Sequence, residues 1–309
     1  MFKTPIRAAA CLALAAFAAG AHAATVYSLA NNGTSLIRFD STTPGAVTTV
    51  GAITGAATSL NGLDFRPANG LLYGVQQSNS GIYTVDTATG ATTFVSTVTS
   101  TTPPGTTVTS PLTGIDFNPV PDRLRLVNDA DQNLRINVVT GATTVDGTLA
   151  YAAGDPNAGA NPNIIDAAYT NSRLGSAALS TQLFYIDYVL DTLVRTTNPN
   201  AGVLSTVGAL GVDTSRFTGF DIFFDQSGTN TGFASLQVAG VGGIGTIDNF
   251  YTINLLTGAA TLVGNIGAQN LFGLAVVPVP EPASLALVAA AGLAAFGVRR
   301  RKMGAAATT

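Results

Sequence analysis

The sequence predicts an all-β fold: a β-propeller of about five four-stranded blades, closed by pairing a C-terminal inner strand with N-terminal strands. Three observations predict it. A short phrase recurs at intervals of roughly 50 residues, the spacing of propeller blades. Each full copy is followed by further short alternating segments set between Gly, Asn and Pro. The two ends of the repetitive region carry complementary fragments of one unit.

The recurring phrase is Leu60-Asn-Gly-Leu-Asp-Phe-Arg-Pro67, then Leu112-Thr-Gly-Ile-Asp-Phe-Asn-Pro119. Phe217-Thr-Gly-Phe-Asp-Ile-Phe-Phe224 and Leu271-Phe-Gly-Leu-Ala-Val-Val-Pro278 follow the same scheme, and Ile164-Ile-Asp-Ala-Ala-Tyr169 is a degraded copy. Behind Pro67 lie Leu71–Val75, Ile82–Asp86 and Thr92–Val95; behind Pro119 lie Arg123–Val127, Leu134–Val138 and Thr143–Val145. Their alternation and β-branched residues mark half-buried strands. Asp86-Thr-Ala-Thr-Gly90, Asn137-Val-Val-Thr-Gly141 and Asn254-Leu-Leu-Thr-Gly258 predict tight turns between third and fourth strands, because Asp or Asn bonds backbone two residues on and Gly supplies positive φ. The region opens on Thr25–Leu29, Leu36–Asp40 and Val47–Val50, strands two to four of a unit that lacks its first. It closes on Leu271–Pro278, a first strand with nothing after it. Joined in a ring, the fragments complete one blade and remove the open edges of the array. The rival architecture is an open β-solenoid, whose repeats are usually shorter and more regular.

The phrase Gly-[Leu/Ile]-Asp-Phe-x-Pro-x-x-Gly-x-Leu-Tyr resembles the inner-strand junction of many extracellular propellers. The region 24–277 is similar to domain-of-unknown-function family 4394, above all over Gly114–Leu149 with Asp116-Phe-Asn-Pro119, Arg123-Leu-Arg125, Asn128 to Arg135 and Val145-Asp-Gly-Thr-Leu149. That resemblance implies a propeller-like exported domain and brings no chemistry with it.

The ends set the compartment. Lys3 and Arg7 precede an apolar run from Ala8 to Ala19, and Ala21-His22-Ala23 supplies the small-x-small pattern of a signal peptidase site. Residues 1–23 therefore read as a signal peptide cleaved before Ala24. A lipoprotein reading through Cys11 leaves no hydrophobic region ahead of the cysteine. At the other end, Val279-Pro280-Glu281-Pro282 precedes an apolar stretch, Ala283 to Val298, and the cluster Arg299-Arg300-Arg301-Lys302. The stretch is barely long enough to cross a bilayer core, which takes ~20 residues, and the basic cluster places its own side in the cytoplasm. This three-part tail, residues 278–309, resembles the PEP-CTERM sorting signal. The resemblance implies transient anchoring in the inner membrane of a Gram-negative bacterium through a short transmembrane helix. An exosortase would then process the tail and deliver the domain to the cell surface or extracellular matrix. The simpler alternative is an ordinary single-pass anchor.

Composition narrows the chemistry. Between Ala24 and Val277 there is no Cys, His, Trp, Met, Lys or Glu. Disulfides, thiolate metal sites, cysteine nucleophiles and histidine general bases are excluded there. Every acid in the region is Asp, every cation is Arg, and Asp outnumbers Arg two to one. That balance argues against nucleic acid, whose phosphates demand clustered Lys and Arg.

Three groups stand out as candidate sites. Asp64, Asp116, Asp166 and Asp221 share one place in four inner strands, with Ala275 in the fifth. They form either an acidic ring around the axis able to hold a cation, or a set of carboxylates bonded to backbone amides of their own and the next blade; recurrence in nearly every blade favours the second. Asp129-Ala-Asp131-Gln-Asn133 imitates the first half of a calcium loop without the Gly and distal Glu, so Asp129, Asp131 and Asn133 are candidate Ca²⁺ ligands or a solvated turn. Arg123, Arg125 and Arg135 fall in adjacent strands; they are expected to pair with Asp122, Asp129 or Asp131, or to grip an anion.

Strand order places the second-to-third-strand loops on one rim together with the connections between blades. That rim would gather Asn128–Asn133, Tyr188–Asp191, Ala239–Asp248, Thr99–Pro111 and Ala152–Asn163, with Asp129, Asp131, Asp155 and Asp191 on it. The opposite rim should carry tight turns and little else. The expected function is a non-catalytic binding or scaffold module whose partner is an exopolysaccharide or a surface protein. The alternative is an extracellular hydrolase or lyase acting on polysaccharide through Asp carboxylates or a bound metal.

Overall fold

The computed structural model describes residues 23–240 and 245–280. Five sheets, each built on four antiparallel strands, surround one axis. The composite blade holds β1 (Thr25–Ala30), β2 (Ser35–Asp40) and β3 (Thr43–Ala52), completed by β22 (Phe272–Val276) on the inside. The first blade is built from β5 (Gly62–Phe65), β6 (Leu72–Gln76), β7 (Gly81–Val85) and β8 (Ala91–Thr97). The second comprises β9 (Thr113–Asn118), β10 (Arg123–Asn128), β11 (Asn133–Ile136) and β12 (Thr143–Val145). In the third run β14 (Ile164–Tyr169), β15 (Leu183–Asp187), β16 (Thr192–Asn198) and β17 (Val203–Ala209). The fourth holds β18 (Thr218–Phe224), β19 (Asn230–Ala239), β20 (Thr246–Ile253) and β21 (Ala260–Asn265).

The inner strands touch in the cycle β5–β9–β14–β18–β22–β5, so the ring is closed and the solenoid is excluded. Closure follows the predicted pairing: β22 lies antiparallel to β1, with Val26 opposite Val276 and Tyr27 opposite Ala275. The Ser28 hydroxyl adds a 2.8 Å hydrogen bond to the Gly273 carbonyl. Each of the five apolar clusters lies between consecutive blades. Edge-to-face aromatic pairs cross three of these seams: Tyr27–Phe65, Phe39–Phe250 and Tyr73–Phe117, with ring centroids 5.6, 5.1 and 5.2 Å apart.

The inner strands crowd the axis, which explains the glycine in the recurring phrase. A Cβ on Gly114 would stand 2.3 Å from Asp166 Cα, so only glycine allows this approach of β9 to β14. The Thr-Gly turns form as expected: the amides of Ala88 and Thr89 donate to Asp86 Oδ1, and Gly90 takes φ +79°.

Two features depart from expectation. Connections between blades add a parallel edge to the next sheet: β4 (Thr54–Gly55) runs along β8, and β13 (Ala150–Tyr151) along β17. They cover outer edges that a plain four-stranded blade leaves open. The second departure corrects the picture of a bare opposite rim. Residues 170–182, between β14 and β15, fold across it. Gly175 N–H donates to the Pro67 carbonyl, Ala178 N–H to that of Pro119 and Leu174 N–H to that of Val279, at 2.8, 3.1 and 3.1 Å. Asn171 N–H donates to Asn230 Oδ1 at 2.8 Å, so this plug loop reaches all four other blades.

Candidate functional site

At the rim where the inner strands begin, the axis opens into a cleft of about 370 Å³. Asn61, Thr113, Ile165, Thr218 and Gly273 contribute to it, one from each inner strand or its lead-in. Asn32 and Asp129 reach in from second-to-third-strand turns of two blades, and the Arg216 guanidinium lies 5.3 Å from the centre of the Phe217 ring. Asp129 is the one carboxylate among these lining residues. The rim expected to carry long connections is therefore also the one with the cleft; part of the predicted 239–248 segment, residues 241–244, lies outside the described residues.

The three predicted calcium ligands differ in their surroundings. Asp129 faces the cleft. Asp131 occupies a left-handed turn position at φ +57° and keeps one buried oxygen, Oδ1, without a hydrogen-bond partner. Burial, then the charges of Asp129 and Asp187, push its carboxyl above the usual range. Asn133 is spent elsewhere: its Oδ1 accepts from Arg125 at 2.8 Å, and its Nδ2 donates to the Gly147 and Pro199 carbonyls at 2.9 Å each. Asp155 and Asp191 are also committed, to Thr206 and Thr214 amides.

Two of the three arginines have another partner than expected. Arg125 is 1% exposed and pairs with Asp146 at 2.6 Å, and Arg135 binds the same carboxylate at 2.6 and 2.9 Å. Arg125 also donates to Tyr169 Oη and Asn200 Oδ1 at 3.2 and 3.1 Å, stitching the second blade to the third. Arg123 donates to the Pro121 and Asp122 carbonyls, while the Asp122 carboxylate pairs with Arg66. No anion grip is assembled from the three.

Below the cleft lies the acidic ring. Three of its members each tie an inner strand to the next, as the repetition suggested. Asp64 Oδ2 accepts from Phe117 N–H, Asp166 Oδ2 from Phe220 N–H and Asp221 Oδ2 from Val276 N–H, at 2.8, 2.7 and 2.6 Å. Asp64, Asp116 and Asp221 also converge, each placing a carboxylate oxygen within 4.8 Å of the others. Burial raises all four carboxyls, Asp221 to about 7. For Asp64 and Asp116 the charges of other ring members add to the rise. A group raised in the folded state contributes stability that is fully present below its unfolded value of 3.8 and lost as pH climbs through the folded one. In chelator, the melting temperature of the domain should therefore fall between pH 5 and pH 8. A melting temperature that holds or rises over that interval would contradict the buried, proton-bearing ring.

Val279 and Pro280 of the sorting motif rest on Leu174 of the plug loop. Glu281, Pro282, the apolar stretch 283–298 and the cluster Arg299–Lys302 lie outside the described residues, as does Ala21 of the signal cleavage motif; Ala23 is described and exposed. Among the described residues no helix is long and apolar enough to cross a membrane.

Fold and site together define a closed five-bladed β-propeller with an axial cleft at one rim, a plug at the other and a sorting signal at its C-terminal side. The chain belongs to the family described as Domain of unknown function (DUF4394), whose model matches residues 35–275. A PEP-CTERM protein-sorting motif matches residues 278–302, which indicates export, membrane-anchored sorting in Gram-negative bacteria and processing by an exosortase. No curated protein matches the chain. A solved structure similar to it is a structural genomics protein of unknown function from Bacteroides thetaiotaomicron VPI-5482, at 15% identity and a TM-score of 0.46. The match covers 85% of this chain and 64% of that one, so the chain spans less than two thirds of that protein's length.

Proposed function

We propose that this exported propeller is a non-catalytic binding module of the cell surface or extracellular matrix, and that a hydroxyl-rich polymer, an exopolysaccharide, docks in the axial cleft. The lining of the cleft carries this reading. The Asn32 amide and the Asp129 carboxylate stand beside the rings of Phe217 and Phe272, in a wall that Asn61, Ser110 and Thr113 hold in shape through bonds to backbone. Such a surface hydrogen-bonds sugar hydroxyls and stacks on ring faces, with Arg216 available to an acidic substituent. The volume falls in the range of small-ligand sites, ~300–1,000 Å³.

Chain direction supports an outward-facing cleft. β22 runs from the cleft rim to the plugged rim, so the chain leaves the domain at the plugged end and enters the sorting tail there. While the tail holds the protein at the membrane, the cleft faces away from it.

The catalytic alternative needs two carboxyls facing one sugar, ~5–9.5 Å apart. The cleft offers Asp129, and the ring carboxyls beneath are buried and bonded to backbone. The test is to incubate the exported chain with exopolysaccharide from an exosortase-bearing host, and to measure both retention on the polymer and release of reducing or unsaturated ends. Retention without end release is expected, with retention lost in Phe217→Ala, Arg216→Ala. Release of ends that scales with protein would establish the enzyme instead.

A further inference from the structure

We propose that Asp64, Asp116 and Asp221 form a built site for one hard divalent cation, calcium, on the propeller axis between the cleft and the plugged rim. The three carboxylates come from three different blades and are 6%, 3% and 6% exposed. Their ligand oxygens lie within 4.8 Å of one another. Opposite ligands of a calcium ion stand at most about 5 Å apart, given its 2.3–2.6 Å bonds, so the group is of the size such an ion bridges.

An independent observation points to a missing ligand. Asp116 Oδ1 is fully buried and has no hydrogen-bond partner. Leaving such an oxygen bare is costly, and native folds satisfy nearly all of them. Asp64 and Asp221 anchor one oxygen or both on backbone amides, which holds the group in place before any ion arrives. Beside Asp64 and Asp221, bordered by Ser172 of the plug loop, lies a cavity of about 10 Å³. That is close to the smallest volume that accepts a single water, and so suits a water completing the coordination shell. Protein cations do not serve the ring: the described arginine–carboxylate pairs use Asp122 and Asp146. With oxygen donors alone, the site selects a hard cation over zinc or copper. Such an ion would pin β5, β9 and β18 together and neutralise the repulsion that closure of the ring creates.

The inference is independent of the polymer-binding reading, and its test separates the two. The exported chain is stripped with chelator, equilibrated with calcium at neutral pH and desalted; bound metal and melting temperature are then measured. One calcium per chain is expected, with the melting temperature rising by at least ~5 °C at millimolar calcium, since an ion that binds only the folded state must stabilise it. Asp116→Asn should abolish both signals; Asp64→Asn and Asp221→Asn give the same reading by the same route. Asp129→Ala, Asp131→Ala should keep both. The wild-type measurement needs no variant: absence of retained metal and of any thermal shift overturns the site, leaving shared protons as the way the ring balances its charge. Retention of calcium in Asp116→Asn, or its loss in Asp129→Ala, Asp131→Ala, also overturns it, the latter by moving the ion to the rim.

Discussion

Deletion of Leu271–Val277 should abolish the monomeric fold altogether. These residues supply the inner strand of the composite blade, and their loss leaves β1 with an open edge facing the axis. It also strips Leu271, Leu274 and Val276 from the seam with the fourth blade, Ala275 from the seam with the first, and the Val276 amide from Asp221. The burial lost, at roughly 1.5–3 kcal/mol for each large side chain, reaches the whole stability of an ordinary domain. Size-exclusion chromatography and circular dichroism should report unfolded or strand-swapped oligomeric protein. A monomer with an unchanged melting curve would contradict the closed ring.

Arg125→Ala is expected to cost about 3–5 kcal/mol, the price of breaking a buried ion pair from one side. It leaves Asp146, whose side chain is 4% exposed, to Arg135 alone, and it strips hydrogen bonds from Tyr169, Asn133 and Asn200. Arg135→Ala is the matched control. Arg135 is 34% exposed and its removal leaves the Arg125–Asp146 pair intact, so its cost should stay within about 1 kcal/mol. Chemical denaturation of both variants reads the difference; equal costs would mean that the seam between second and third blades does not depend on Arg125.

Much of this architecture is written in single residues. The Gly-Leu-Asp-Phe phrase marks an inner strand because the axis demands glycine at Gly114 and a carboxylate at Asp116 that reaches the neighbouring strand. The third copy is degraded for a visible reason: Ile164 stands two residues ahead of Asp166, where the other copies have glycine, and β14 carries a bulge between Ile164 and Asp166. The other Asp-bearing inner strands pair with their neighbours without such a shift, and it is their carboxylates that converge. Sequence position places four acids at one level but does not carry that bulge, so the convergence of three was not legible.

The partner of Arg125 was closer to hand. Arg125 sits opposite Arg135, and Arg135 opposite Thr144, so Asp146 lies on the same face two residues further along. The acids of neighbouring turns, Asp122, Asp129 and Asp131, are nearer in sequence but do not share that face. The plug loop left no trace at all. Residues 170–182 have no periodicity, and they dock mainly through backbone amides on the carbonyls of Pro67, Pro119 and Val279, bonds that any sequence can make.

The claim that the open rim is the docking face is tested most directly by amide hydrogen exchange of the exported chain, free and bound to the exopolysaccharide. Slowed exchange is expected at residues 31–33, 110–113, 128–131 and 216–218, which surround the cleft, with residues 170–182 of the plug unchanged. Protection confined to residues 170–182, or none at the cleft under conditions where the polymer retains the protein, would contradict the account.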